Sequence, residues 1–581
     1  MSDAESTETA KQVRLFTQIL MWPVQLVCGG PEDNFDLDRI AELLTKDGPW
    51  NEQENLLGRL PDTEPETSYA EFVYFQPFVQ RFLYGTTKVG ADDQRRRASP
   101  LRLFSRPDIA KVQVERDSGP KLLGVRRVCL YVFNVRIAVL VIEVEGHDLL
   151  FDDAVDLMDE LRHVYPPYWQ PRKSWHNQTL PDPFPGHCPL SVSWIGKDGT
   201  VLFPTPPNEA QSGAVFPSGQ WGPGAEPART TSHHSMVGFV NTHHRSPVDP
   251  AWTWILSPIP YDTGDFSQPS LRFRQLQDER MHTMTYLALN EPRALTRGDF
   301  VRLAFNDERG NSLTLPYSTA FLENFEQRYC YDRFWDPDTP GHEWMTTRYL
   351  CCGFAFTLIG RFESGGFFAD PANGALAHFR HHYQQIGLIV LFHRAAILLF
   401  NDRLAELVHA ESSSTPGMAH ASSRYQQRVL EVQRELLQFL DQYWFPEITS
   451  QIQGRELFDW WSSHLRTRDL CSQLLNEADR VIDLARAEQS QRLQQTANTA
   501  LPLVIGLTAM GAASSTIALW GDWCGWWRAL ALTLALFVAI AAGAATALML
   551  RSRRPSTERG SGVRVIAGSG HRSQMRRDHD R

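Results

Sequence analysis

The sequence predicts an α/β N-terminal cytosolic domain followed by an α-helical bundle, a long stalk helix and a two-helix C-terminal transmembrane hairpin. Three observations predict this order. Strand and turn signals alternate through residues 1–375, and the pattern turns helical from Ala375 onward. Two charge-free apolar runs, Ala500–Trp520 and Ala529–Leu550, then follow. About 20 apolar residues cross a ~30 Å hydrocarbon core, so each run is long enough to span it.

The totals agree with a large water-facing body carrying a smaller membrane part. A chain of 581 residues exceeds the roughly 250–300 at which single cores stop growing, so more than one unit is expected. The formal charge of −10 is uneven: residues 551–581 hold nine Arg against three acids, a net +6, which leaves −16 for residues 1–550. An acidic body offers no face for nucleic acid, whose binding needs basic charge. The eight cysteines form no CxxC, and adjacent Cys351 and Cys352 sit in an apolar stretch. Reduced core thiols in a cytoplasmic compartment fit this usage. The first apolar run, Leu15–Val27, is interrupted by Thr17, Gln18, Pro23 and Gln25 and follows an acidic start. It reads as a buried strand and not as a signal peptide.

Within 1–375, helices are expected at Asp36–Leu44 and at Phe151–Val164, the latter opened by Asp152 and Asp153. The aromatic-rich, half-alternating Glu71–Tyr84 reads as a strand. Val125–Val144 reads as two β-branched strands hinged near Asn134, and Ser191–Phe203 as a hairpin turned at Lys197-Asp198-Gly199. Met284–Asn290 and Tyr349–Ile359 read as further strands. A Pro-, Gly- and His-rich stretch near 204–250 is expected to be a loop.

Residues 376–445 read as a pair of packed helices, Phe379–Val408 and Arg424–Tyr443, with a break at 411–423. The centre of the first, Ile386–Phe400, is apolar but for Gly387, His393 and Arg394, too short and too charged to span a bilayer. A buried bundle helix is the expectation. Residues 446–498 read as a stalk helix: no Gly or Pro interrupts 455–501, and Leu470, Leu474, Ala478, Val481 and Ala485 form one stripe.

Residues 499–550 form the hairpin. Arg486 and Arg492 precede it, Arg551, Arg553 and Arg554 follow it, and the turn between its helices has only Arg528. The positive-inside rule places both termini in the cytoplasm, across an inner (cell) membrane. Trp520, Trp523, Trp526 and Trp527 crowd the turn, where amphipathic rings favour the headgroup level. The basic, polar tail at 551–581 is expected to be disordered.

The spacing inside the hairpin carries a family resemblance. Leu501-Pro502 is followed nine residues later by Gly511, and Gly525-Trp526 begins fourteen residues after Gly511. This register, with Leu493 upstream, resembles the CorA-type divalent metal ion transporter superfamily without a gap from Leu493 to Trp526. The shared architecture reaches back to about residue 375. The resemblance implies a homo-oligomer, a pentamer in that family, with the first membrane helices around a pore. It implies a pore face of Leu493, Leu501 or the adjacent Val504, Thr508, Ala512 and Ser515, with leucine rings gating by dewetting. It also implies a divalent cation such as Mg²⁺ as the transported or regulatory ion, with no other cofactor. The sequence departs at the filter: where the family has Gly-Met-Asn, this chain has Gly511-Ala512-Ala513. In the turn only Asp522 remains of the family's acidic residues. Alanine supplies no side-chain oxygen to a hydrated ion, whereas Mg²⁺ is usually held through its waters.

A passive reading stays open, because Gly506, Gly511, Ala512 and Ala513 suit close helix contact equally well. The alternative function is a membrane-anchored, ligand-responsive signalling effector without Mg²⁺ selectivity. A membrane-tethered enzyme is a third reading, but no GxxxxGK, GxSxG, GxGxxG or HExxH occurs, and no enzymatic activity is expected. Other metal candidates are His233-His234 and His243-His244 in the loop, the i, i+4 pair His378 and His382, and Asp33, Asp36 and Asp38. Loop flexibility, a helix surface pair, and a missing Gly and Glu respectively argue against each. Asp152, Asp153, Asp156 and Asp159 either favour a helix start through its dipole or form a cation sensor between subunits.

Overall fold

A computed structural model describes residues 9–28, 35–53, 65–85, 100–116, 119–165, 169–170, 184–185, 191–203, 233–264, 268–311, 314–412 and 419–484, with 486–487, 490, 494, 497, 530, 533–534 and 537 beyond these. The chain divides into two compact units, Met1–Asp479 and Arg480–Arg581. The change of pattern at 375 is therefore not a boundary between compact units, because the helices that follow belong to the same unit as the sheet.

The strands described are β1 (Val13–Cys28), β2 (Asn51–Glu52), β3 (Leu101–Ser105), β4 (Ile109–Glu115), β5 (Lys121–Phe133), β6 (Ile137–Leu149), β7 (Trp169–Gln170), β8 (Phe184–Pro185), β9 (Ser191–Gly196), β10 (Val201–Phe203), β11 (Leu271–Gln275), β12 (His282–Leu289), β13 (Cys330–Trp335), β14 (Thr346–Cys351) and β15 (Ala355–Arg361). Thirteen of them form one mixed sheet in the order β10-β9-β4-β5-β6-β1-β12-β15-β14-β13, with β11 on β1 and the β2–β3 pair on β5. The β12–β15 pair is parallel and the other pairs in the sheet are antiparallel. The long central strands β5, β6 and β1 are rich in β-branched and aromatic residues, which suit a pleated surface buried on both faces.

The principal helices of this unit are α1 (Leu37–Lys46), α2 (Pro65–Tyr74), α3 (Pro77–Tyr84), α4 (Phe151–Glu160), α5 (His233–His243), α6 (Pro250–Ile255), α7 (Arg297–Phe305), α8 (Gln384–Ser412), α9 (Ala419–Gln442) and α10 (Ile452–His464). Phe16, Leu20, Trp22 and Val24 of β1 join one core with residues of α1, α4, α6 and α7. The intervening positions face α8: Phe133 of β5 stacks on Phe392 at 4.2 Å, and Phe356 of β15 stacks on Trp461 of α10 at 5.0 Å. The unit is thus three layers, helix–sheet–helix.

The expected strand pairs at 125–144 and 191–203 are present as β5–β6 and β9–β10, the latter turned at Gly199 in the left-handed region. Asp36 caps α1 through the Asp38 N–H. Glu71–Tyr84 differs from expectation: it is the end of α2 and all of α3, with Pro77 at the start of α3. Its aromatic content serves packing, as Phe82 contacts Phe133, Phe392, Tyr443 and Phe445. Tyr349–Ile359 is two strands, because Gly353 (φ 95°) turns the chain between β14 and β15. The part of the expected loop after residue 232 contains α5 and runs to the start of α6 at Pro250, while 204–232 lies outside the described residues.

The stalk also differs. The sequence-expected helix over 446–498 begins at Ile452 and breaks at Leu465-Arg466, where Arg466 takes φ 53°. No Gly or Pro causes this. Tertiary contacts fix the helix end: Arg394 donates to the Leu465 carbonyl at 2.7 Å, and Trp461 Nε1 donates to the Gly353 carbonyl at 2.8 Å. Helix resumes over 467–479, with Leu474 and Ala478 of the expected stripe buried. In the second unit the described residues are all helical.

Among the described residues one helix, Ala375–His409, is long and apolar enough to cross a membrane by length and composition, where the sequence reading held its centre too short and too charged for that. It is mostly buried inside the protein, as the sequence reading of 379–408 expects.

Candidate functional site

Before α8 the chain makes a short helix, Ala375–His378, and then a five-residue π-turn, Phe379–Tyr383. Its entry is tight: a Cβ on Gly374 would collide with the Phe367 carbonyl oxygen. A π-turn inserts one residue into an α-helix and is frequently found at functional sites. Here it turns Arg380, His381 and His382 into the interior together.

Arg380 forms ion pairs with Glu143 and Glu145 of β6, and Arg127 of β5 reaches the other oxygen of Glu143 at 2.9 Å. Glu143 and Arg127 are cross-strand partners, so the sheet register itself sets the pair. Burial alone would raise the Glu143 carboxyl, but Arg380, Arg127 and Arg126 outweigh it and hold the group below its ordinary value. Burial would likewise lower Arg380, and its two carboxylates raise it.

His381 Nδ1 lies 2.6 Å from Glu71 of α2, whose carboxylate is fully buried and also accepts from the Tyr84 hydroxyl of α3. His378 and His382 approach Nδ1 to Nδ1 at 3.2 Å, a contact in which one ring donates and the other must be neutral. Burial, followed by the neighbouring His378, pushes His382 down to about 3. Burial also lowers His378. Tyr74 of α2 packs against the His382 ring at 4.4 Å. Gln453 of α10 donates to both Tyr349 and Tyr383 hydroxyls at 3.0 Å. Gln384, wholly buried at the start of α8, has neither amide atom hydrogen-bonded.

This arrangement ties β5, β6, α2, α3, α8 and α10 through one turn. It has no exposed nucleophile or acid–base pair open to substrate. Its chemistry is that of a mechanical joint. Removing one partner of such a buried pair costs about 3–5 kcal/mol, so the joint resists sliding. Among the described residues no group of three or more His, Cys, Asp or Glu is arranged to hold a metal ion.

The sequence-predicted pore residues Leu493, Leu501, Val504, Thr508, Gly511, Ala512, Ala513, Ser515 and Asp522 lie outside the described residues. The other candidates are placed. His378 and His382 are a partly to fully buried pair, not a helix surface pair. His243 ends α5 and its Nδ1 donates to the Thr263 carbonyl at 3.0 Å. Asp36 is a helix cap, Asp38 pairs with Arg102, and Asp33 lies outside the described residues. Asp153 and Asp156 converge on Arg116 and Asp159 pairs with Arg162, so three of the four α4 aspartates are neutralised within the chain. Cys351 is free and buried, and burial raises its thiol well above the ordinary value. The π-turn itself was not anticipated from the sequence. The available signal was charge in apolar surroundings: Glu143 and Glu145 in a β-branched strand, and Arg-His-His heading an apolar helix.

Comparison with family models, curated proteins and solved structures gives no match to this chain.

Proposed function

We propose that the chain is a CorA-like oligomeric membrane channel or transporter for divalent metal cations, gated by its cytosolic domain through the stalk. The observation that carries the reading is an apolar stripe in the second apolar run. Leu530, Leu534 and Phe537 are helical and their side chains are 47%, 65% and 76% exposed. Positions i, i+4 and i+7 share one helix face, and such a face calls for lipid or a neighbouring helix. The CorA-type register of Leu501-Pro502, Gly511 and Gly525-Trp526 supports the same reading. Two membrane helices cannot enclose a pore, so the proposal requires a homo-oligomer, a pentamer by the resemblance, in an inner membrane with both termini cytoplasmic. The π-turn joint would hold α8 and α10 to the sheet, so that a change in the sheet domain reaches the chain that follows α10.

The first test is light scattering of the detergent-solubilised protein, where a closed oligomer is expected and a clean monomer would sink the proposal. The second is flux of Mg²⁺ and Co²⁺ into vesicles. Replacing Ala512→Met and Ala513→Asn together is expected to raise selectivity for Mg²⁺, and an unchanged ion preference in a conducting protein counts against the filter register. The Ala512-Ala513 filter favours a second reading, the ligand-responsive membrane effector. An oligomer that passes no cation would support it.

A further inference from the structure

On the layer formed by β1 and β11, far in sequence from the π-turn, three arginines converge on one carboxylate. Asp262 follows a short parallel bridge between Tyr261 and Phe273, and its side chain is fully buried. Arg272 and Arg274 alternate with buried Phe273 along β11, so both point to the same side of the strand. Arg274 hydrogen-bonds Asp262, Arg272 Nε lies 3.3 Å from its Oδ1, and Arg245 lies 3.9 Å from its Oδ2. Burial would raise the Asp262 carboxyl, but the hydrogen bond and charge of Arg274, the Gly264 N–H and Arg272 hold it below its ordinary value. It stays ionised.

One carboxylate does not balance three guanidiniums. Glu279 acts electrostatically on the neighbouring Tyr261, so even when it is counted, three cations face two anions among the described residues. The three arginines are not saturated, because Nε of Arg245 is buried without a hydrogen bond. Their side chains are nonetheless reachable, at 32%, 16% and 27% exposure for Arg245, Arg272 and Arg274. Tyr261 and Gln268 brace the loop: the Tyr261 hydroxyl donates to the Ser246 carbonyl at 2.7 Å, and Gln268 bridges Tyr261 and Thr263. A structural ion pair needs one arginine. Three like charges held together by a braced turn are stabilised by a further anion, and the guanidinium fork matches phosphate geometry.

We propose that Arg245, Arg272 and Arg274, organised by Asp262, form a binding site for a phosphate-bearing anion. The site belongs to the sheet domain and stands whether or not the chain conducts cations. A free phosphate compound and a lipid phosphate headgroup share this chemistry, so the test has two arms.

The full-length protein in detergent is titrated with sodium pyrophosphate, and separately with short-chain phosphatidate, while thermal unfolding is followed by tryptophan fluorescence. Sodium chloride at matched ionic strength is the control. A rise in Tm with either phosphate compound, and none with chloride, is expected; the responding arm identifies the source as soluble or lipid. Arg245→Gln, which leaves Asp262 paired with two arginines, is expected to bind about tenfold more weakly, the loss of one charge-assisted hydrogen bond. Combined Arg272→Gln and Arg274→Gln is expected to abolish the shift. If that double variant fails to fold, Arg245→Gln alone decides. No shift with either compound, an equal shift with chloride, or wild-type binding by folded Arg245→Gln overturns the proposal.

Discussion

His382 is held neutral in the fold, and this has a direct consequence for acid stability. Its folded pKa of about 3 lies below the ordinary histidine value of 6.5. Between those values the unfolded chain binds a proton that the folded chain does not. Stability therefore falls as pH drops below about 6.5, with a slope approaching about 1.4 kcal/mol per pH unit for this group alone. His282 and His393, pushed down by burial to about 3 and about 4, act in the same direction. His382→Asn is expected to reduce the loss of stability between pH 6 and 4, measured by chemical unfolding across pH; an unchanged profile would remove His382 from this role. Arg466 presents a simpler residue-scale case. Its positive φ is the region where a Cβ is unfavourable, and its side chain is mostly exposed with only a 3.5 Å pair to Asp469. Arg466→Gly is expected to stabilise the protein by about 1 kcal/mol, read as a rise in the denaturation midpoint.

At the scale of elements, helix–helix distance is set by one missing side chain. A Cβ on Gly387 of α8 would come 2.7 Å from Trp461 Cη2 of α10 and 3.3 Å from Met21 Cε of β1. Gly387→Ala gains helix propensity but overpacks this contact, with an expected net cost of about 1–3 kcal/mol. Trp461→Phe removes the part of the ring that collides. The double variant is expected to lose less stability than the sum of the two single variants, which a double-mutant cycle of thermal unfolding measures. Additive losses would mean that the two helices do not meet there.

For the whole molecule, the order of elements was legible in the sequence because it rests on period and turn chemistry. The β5–β6 and β9–β10 hairpins carry their signals in Asn134 and in Lys197-Asp198-Gly199, within a few residues of the strands they join. What escaped depends on distant partners. Glu71–Tyr84 alternates like a strand, yet its rings meet α8 and the segment after α9, and those contacts make it two helices. The stalk broke at Leu465 because of Arg394, seventy-one positions earlier in the chain. The polar joint was hidden for the same reason: Glu71 and His381 stand 310 positions apart, and nothing local announces that they touch.

Arg394 has one more consequence, which concerns how the protein is made. The apolar helix around it, Ala375–His409, leaves the ribosome before α10 exists to cover it. At that moment it resembles a signal for the membrane insertion machinery. A central arginine opposes insertion by roughly 2.5–3.5 kcal/mol on translocon scales. Arg394 is therefore expected to oppose insertion of this segment during synthesis, before it ever caps Leu465. Arg394→Leu is expected to send part of the nascent chains into the bilayer at this segment, which a glycosylation reporter placed after residue 412 would detect. Unchanged reporter modification would confine Arg394 to its role in the finished fold.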